Sequence, residues 1–409
     1  MKILKASWVI SCDENNTIIK DGAVAFDKKI IAVATEDFIK EKYPDSKIED
    51  LGENSVLMPG LINSHIHLEF SSNTTTLKYG NFMSWLNSVI TSREKLVKNA
   101  TKELIKEKLE FIKRSGTTTI GAISSYSFDL EPCFNSDLNV VYFSEVIGSK
   151  PDMIDSLFDD FKERLKSAKE KKREGFFPSI AIHSPYSVHP FLIRESLKIA
   201  KDEKMAVSTH FLESPEEFDW LHKDEGGFVE FFKNFLGQEK AVTKPMEFLN
   251  QFEGVKPLSF THCVEASKSD LEKIKDLDAV INHCPTSNRV LNNSRLKIQN
   301  LLDLDIPFAI GTDGLSSNNS LSMFDELRNA LMIHTEQNVV AFAKLLILAA
   351  TKNGAKALGL NKGILEKNAD ADLIAISLPD EVEDEEDLCL NIILHTKEVN
   401  KTVIGGNYV

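Results

Sequence analysis

Short β-branched or apolar runs alternate with longer amphipathic stretches rich in Lys and Glu through the middle of this chain, and that alternation restricts the fold more than any other feature. Parallel strands need a long crossover, so repeated strand and helix patterns predict a parallel sheet. Eight strand-like runs can be read: "GLINSH" near 60, "TTTIGA" near 117, "NVVYFSEV" near 139, "SIAIHS" near 179, "AVSTHF" near 206, "LSFTHC" near 258, "AVINHC" near 279 and "PFAIGTD" near 307. Helical patterns separate most neighbours, as in "REKLVKNATKELIKEKLEFIKRSG", where Gly116 stands where a C-terminal cap would. Eight such units fit an α/β fold, a closed (β/α)8 TIM-type barrel of roughly 250 to 300 residues.

The two ends read differently. Residues 1–57 contain "TIIKDGAVAFDKKIIAVA", alternating runs broken by turn signals, and residues 365–409 contain the strand-like "ADLIAISLP" and "KTVIGGNYV". Neither end has enough strands to bury a core alone, so both are expected to join in one small β-sandwich domain beside a barrel spanning 58–364. The acidic run "DEVEDEED" at 380–387 reads as a solvated loop. The aromatic-rich stretch 215–254 reads as an insertion after the fifth strand, at the mouth of the barrel, which it can cover.

Composition narrows the function. A formal net charge of −14 argues against a nucleic-acid partner, because phosphate binding needs a basic face. Five scattered cysteines without a CxxC pair indicate neither a disulfide framework nor a cysteine zinc site and point to a reducing cytoplasm. The N-terminus lacks the pattern of a cleaved signal, and no run is long enough to span a bilayer. A small-molecule enzyme is the expectation, and a homodimer is compatible with it.

The C-terminal ends of the eight runs carry the chemistry. His65 and His67 close the first, and because side chains alternate along a strand, both rings point the same way. The fourth run ends in His183, the fifth in His210, the sixth in His262, the seventh in His283 and the eighth in Asp313. In a parallel barrel all these ends share one face, so residues far apart in the chain meet around one axis. Neutral imidazoles with a carboxylate suit one divalent metal ion, zinc first and iron or manganese as alternatives, with His65, His67, His210 and Asp313 as ligands. Such a metal lowers the pKa of a bound water to about 7. Glu213, three residues past His210, is the expected proton shuttle, against the alternative of a helix-start acid that complements the dipole. His262 is expected to orient the nucleophilic water together with Asp313. His283 and Ser184 stand behind the ligands, where they steady the site or only their own loops. His334 and His395 read as structural, and His222 is left undecided.

The motifs "PGLINSHIH", "HSPYSVHP", "STHFLES", "THC", "NHCPTSN" and "GTDGLSSNN" resemble those of the amidohydrolase superfamily, in order from 59 to 319. They are most similar to the branch of cytosine, guanine, adenosine and S-adenosylhomocysteine deaminases, together with the chlorohydrolases. Two-metal members place a carboxylated lysine at the end of the fourth strand; His183 stands there, so the resemblance implies a single metal. The segment "HLEFSSNTTTLKYGNFMSWLNSVITSRE" resembles the aminodeoxyfutalosine deaminase subgroup of the futalosine route to menaquinone. That resemblance implies hydrolytic loss of the adenine 6-amino group from a purine nucleoside, with His183 at the ribose and Trp85 in the nucleoside wall. The substrate of that subgroup carries a benzoate, and Arg289 and Arg93 are the candidate cations for it. A deaminase of S-adenosylhomocysteine, methylthioadenosine or adenosine, or a triazine chlorohydrolase, is the alternative. A non-catalytic barrel fits poorly with a complete ligand set. The nucleobase deaminases built on HxE and PCxxC are excluded, because PCxxC is absent.

Overall fold

The computed structural model describes residues 1–73 and 75–409, with Phe235 described by its backbone alone. All eight expected barrel strands form: Leu61–Ile66, Thr117–Ser124, Asn139–Val146, Phe176–Ile182, Val207–Phe211, Leu258–His262, Val280–His283 and Phe308–Ile310. They lie side by side in chain order, and every neighbouring pair is parallel. The ring closes between the first and last strands. Asp313 donates its backbone N–H to the carbonyl of His65 at 3.0 Å, and Ser64 Oγ donates to the carbonyl of Ile310 at 2.9 Å. Gly311 is required at this seam, since a Cβ there would stand 2.8 Å from the Cβ of His65.

The run from 93 to 116, read above as one helical pattern, is two helices, Phe82–Asn99 and Lys102–Arg114. Thr101 causes the break: its side chain accepts the N–H of Leu104 at 3.2 Å, the bond of an N-cap. Gly116 follows the second helix with φ of +91°, donating its N–H to the carbonyl of Lys113, as a C-terminal cap does.

The terminal segments do build one composite unit, and its eight strands are hydrogen-bonded in one continuous mixed sheet. The strand Leu373–Ser377 pairs antiparallel with Ser55–Pro59 and so stitches the two ends of the chain together. Asp372 pins this sheet to the barrel. One of its carboxylate oxygens accepts from Lys362 Nζ at 2.6 Å and from Asn139 Nδ2, at the start of the third barrel strand, at 2.9 Å. The other accepts the N–H of Gly405 at 2.6 Å. The acidic run 380–387 is a loop that enters the helix Glu385–His395, where Asp384 caps the first turn and the acids favour the helix dipole.

The 215–254 insertion folds into the helices Pro215–Lys223, Gly227–Leu236 and Pro245–Asn250. Its Phe228 packs on Tyr186 at 4.7 Å and on Phe82 at 6.1 Å, so it leans on the fourth-strand loop and on the first helix after His67. Among the described residues no helix is long and apolar enough to cross a membrane.

Candidate active site

Strand alternation and strand order bring four of the expected side chains to one point at the barrel mouth. His67 Nε2 lies 3.1 Å from His65 Nε2 and 3.4 Å from His210 Nε2. Asp313 Oδ1 stands 3.6 Å from His67 Nε2 and 4.0 Å from His65 Nε2. Burial first, then the repulsion of the neighbouring imidazoles, pushes His65 well below its ordinary value and His210 down to about 3. Burial alone would raise Asp313, yet the surrounding His67, His262, His65 and His210 outweigh it and hold the carboxyl below the usual range. The result is a set of imidazole nitrogens converging on one ionised carboxylate, which is what a divalent cation requires.

Supporting hydrogen bonds fix which atoms face inward. His210 Nδ1 donates to the carbonyl of His183 at 2.7 Å, so the lone pair of His210 sits on Nε2, toward His67. Thr261 Oγ1 meets His65 Nδ1 at 3.3 Å. Asp313 Oδ2 accepts from Ser287 Oγ at 2.7 Å and Ser317 Oγ at 3.0 Å, while Oδ1 accepts the N–H of Gly314 at 2.8 Å and faces the histidines. A second group of donors, Glu145, His183 and His210, lies alongside. It shares the one free nitrogen of His210 with the first group, so the two do not offer independent metal sites.

Glu213, His262 and Asp313 form the other half of the mouth, with their polar atoms all within 4.8 Å of one another. His262 Nδ1 meets Asn288 Oδ1 at 2.9 Å and so carries the proton. Its Nε2, 3.6 Å from Glu213 Oε1, is buried without a hydrogen-bond partner among the described residues, so its lone pair can accept one. Burial, with Asp313 and Glu217 adding repulsion, raises Glu213 well above the ordinary carboxyl range, which favours the protonated form that a general acid needs. A base and an acid thus face each other beside the cation ligands.

The remaining predicted residues fall in several places. His183 Nδ1 bonds Ser187 Oγ at 2.6 Å and Ser184 Oγ at 3.1 Å, and burial, with His67 and Arg93 as neighbours, pushes its pKa down to about 3. Trp85 is half-buried on the helix Phe82–Asn99 and donates its Nε1–H to the carbonyl of Ser316 at 2.7 Å, which places it over the loop that follows Asp313. His283 does not face the ligands; its Nε2 meets His334 Nε2 at 2.9 Å. Arg289 is exposed and reaches Asn292 Oδ1 at 3.4 Å. His222 packs on Phe218 at 4.1 Å within its own helix.

Three carboxylates around the site escaped the sequence reading. Glu145 lies at the end of the third strand beside His183, with one oxygen accepting from Ser125 Oγ and the other buried without a partner among the described residues. A polar residue at a strand end was its only signal. Glu217 accepts the backbone N–H of Leu212 at 3.1 Å and of Glu213 at 2.8 Å, holding a turn in which Leu212 takes a φ of +47°. Ser214 with Glu217 three residues on reads as a capping box, but the glutamate reaches further back than the cap. Glu326 accepts from Thr286 and Asn318 and so ties the seventh-strand loop to the eighth.

Comparison with known proteins agrees with this geometry. Residues 56–409 match the model of the amidohydrolase family, and the chain belongs to that family. It is 45% identical over 406 residues to an aminodeoxyfutalosine deaminase of Nitratiruptor sp., covering 99% of this chain and 98% of the relative. It is 35% identical over 413 residues to an adenosine deaminase of Helicobacter pylori, covering 100% and 99%. Among solved structures, that of Helicobacter pylori aminofutalosine deaminase with methylthio-coformycin superposes with a TM-score of 0.95 at 34% identity over the full length of both chains.

Proposed function

We propose that this amidohydrolase removes the 6-amino group of 6-amino-6-deoxyfutalosine by hydrolysis, releasing ammonia. The observation that carries the reading is the pairing of the buried Glu213 carboxyl with His262 Nε2 at 3.6 Å, a nitrogen with no hydrogen-bond partner among the described residues, beside four converging donor side chains. Deamination of a purine needs both functions at once: a base to take a proton from water and an acid to give one to N1. Nearly full-length likeness to an enzyme named for this substrate supports the choice of nucleoside.

His65, His67, His210 and Asp313 would hold the metal, and zinc suits that set of three imidazoles and one carboxylate best. When bound, the cation acts as a Lewis acid that makes water a nucleophile at neutral pH. His262 Nε2 and Asp313 orient the water and take its proton. Glu213 protonates N1 as the water oxygen adds to C6, which makes C6 tetrahedral. The resulting Glu213 carboxylate takes the proton of the new C6 hydroxyl and passes it to the amino group, so that ammonia leaves as the carbonyl forms, and the proton held by His262 and Asp313 returns to Glu213. His183, with the acceptor Glu145 beside it, meets the ribose, and Trp85 walls the nucleoside. Five buried, unpaired cysteines fit work in a reducing cytoplasm.

Purified protein assayed in parallel with aminodeoxyfutalosine, S-adenosylhomocysteine and adenosine tests the reading through the loss of adenine absorbance. The first substrate should show the highest kcat/KM; no turnover of it sinks the proposal. Metal analysis of the isolated enzyme should find close to one zinc per chain.

A further inference from the structure

The helix Phe82–Asn99 crosses the barrel mouth and carries two side chains eight residues apart, Trp85 and Arg93, which its period places about 80° apart around the axis. Trp85 ties one end to Ser316, after the eighth strand. At the other end the Arg93 guanidinium lies 4.9 Å above the ring of Tyr126, after the second strand. Tyr126 is itself held in place. Its backbone N–H and that of Ser125 donate to the buried Glu69 at 3.0 and 2.7 Å, and its ring stacks on Phe128 at 6.0 Å. The neighbouring Ser125 hydroxyl donates to Glu145, which adjoins His183.

Four other arginines, Arg164, Arg194, Arg295 and Arg328, each hold a carboxylate. Arg93 has none among the described residues; stacking on Tyr126 engages its face and the Tyr126 hydroxyl takes one of its N–H groups, which leaves other donors of the five-donor guanidinium for an anion. The site therefore runs in order from the cation ligands through His183, Glu145 and Ser125 to a guanidinium that holds no carboxylate among the described residues. We propose that Arg93, seated on Tyr126, anchors the carboxylate at the far end of the substrate and sets the preference for carboxylated over neutral nucleosides. This rests on the deaminase reading above. In a chain of net charge −14, an anion entering a mouth lined by Glu145 and Asp313 needs such a partner, and a guanidinium grips a carboxylate with two parallel hydrogen bonds.

The test compares aminodeoxyfutalosine with its neutral carboxamide analogue in wild type, Arg93→Gln, Arg93→Lys and Arg289→Gln. The ratio of their kcat/KM values cancels any general loss of activity, and thermal melting checks that each variant folds. The wild type should favour the carboxylate, Arg93→Gln should lower the ratio about 30-fold through KM, and Arg93→Lys should fall between them. Arg289→Gln should match the wild type. An unchanged ratio in Arg93→Gln, or its collapse in Arg289→Gln instead, overturns the anchor while leaving the deaminase reading intact. Wild type that turns over adenosine but neither test nucleoside overturns the substrate reading, and the anchor with it.

Discussion

Glu217 Oε2 accepts the backbone N–H of Glu213 at 2.8 Å, so one buried carboxyl fixes the main chain of another. Its second oxygen does the same for Leu212, whose φ of +47° is costly for a branched residue and needs such a constraint. Glu217 touches no reacting atom in this scheme; it positions the residue that does. Glu217→Ala should lower kcat about 10-fold, with KM and bound metal near wild type, because a loosened proton donor hurts the transition state more than binding. Steady-state kinetics with metal analysis checks this, and a variant that loses its metal would show that Glu217 supports the ligands instead.

Glu213→Gln tests the proton donor directly. The amide keeps the shape and can still hydrogen-bond, but it has no acidic proton to give. General acid help of this kind is typically worth about 10²- to 10⁴-fold, so kcat should fall by at least about 100-fold while metal content and melting temperature hold. Loss of a strained, buried acid should if anything stabilise the fold. Full activity in this variant refutes the shuttle role.

The barrel was legible because its strands are buried on both faces and read as unbroken apolar runs, and because ligand residues at strand ends break those runs at a fixed place. Even the eighth strand, only Phe308–Ile310, could be found from "GTD" behind it. The helix break at Thr101 was missed because apolar periodicity continues across it, and only one side-chain bond marks the cap. The partnership of His283 with His334 was missed for a different reason: both are histidines on apolar stretches, and which way a ring turns depends on a residue 51 positions away. Glu145, Glu217 and Glu326 look like any surface glutamate in a chain with 62 acidic residues. Their burial is a tertiary fact.

Lys362 stands between Asp370 and Asp372 at 2.9 and 2.6 Å, with its side chain 7% exposed and that of Asp372 2% exposed. Lys362→Met removes the cation but leaves Asp372 buried, with only Asn139 and Gly405 to satisfy it. Breaking one partner of a buried pair costs roughly 3 to 5 kcal/mol. Urea unfolding should show a loss near the lower end of that range, because two hydrogen bonds remain. The barrel mouth is distant in the fold from this junction, so kcat on protein that stays folded should change little. A loss below about 1 kcal/mol would mean that Asp372 is satisfied by its neutral donors alone.

Glu326 gives the protein a pH dependence whose sign can be derived. Burial raises its pKa from 4.5 to about 8, against the lowering effect of the bonds from Thr286 and Asn318. Between those two values the folded protein keeps a proton that the unfolded chain has lost. Stability from this group is therefore fully present below about pH 4.5 and declines as pH rises toward 8. Glu217, raised to about 7 by burial, acts in the same direction over a narrower window. Glu326→Gln cannot ionise and keeps one oxygen to accept from Thr286 or Asn318. Melting temperatures measured from about pH 6 to about pH 8.5 should fall more steeply in the wild type than in Glu326→Gln, and the variant should be the more stable of the two at the alkaline end. Parallel curves would mean that Glu326 ionises without cost, and that the bonds from Thr286 and Asn318 outweigh its burial.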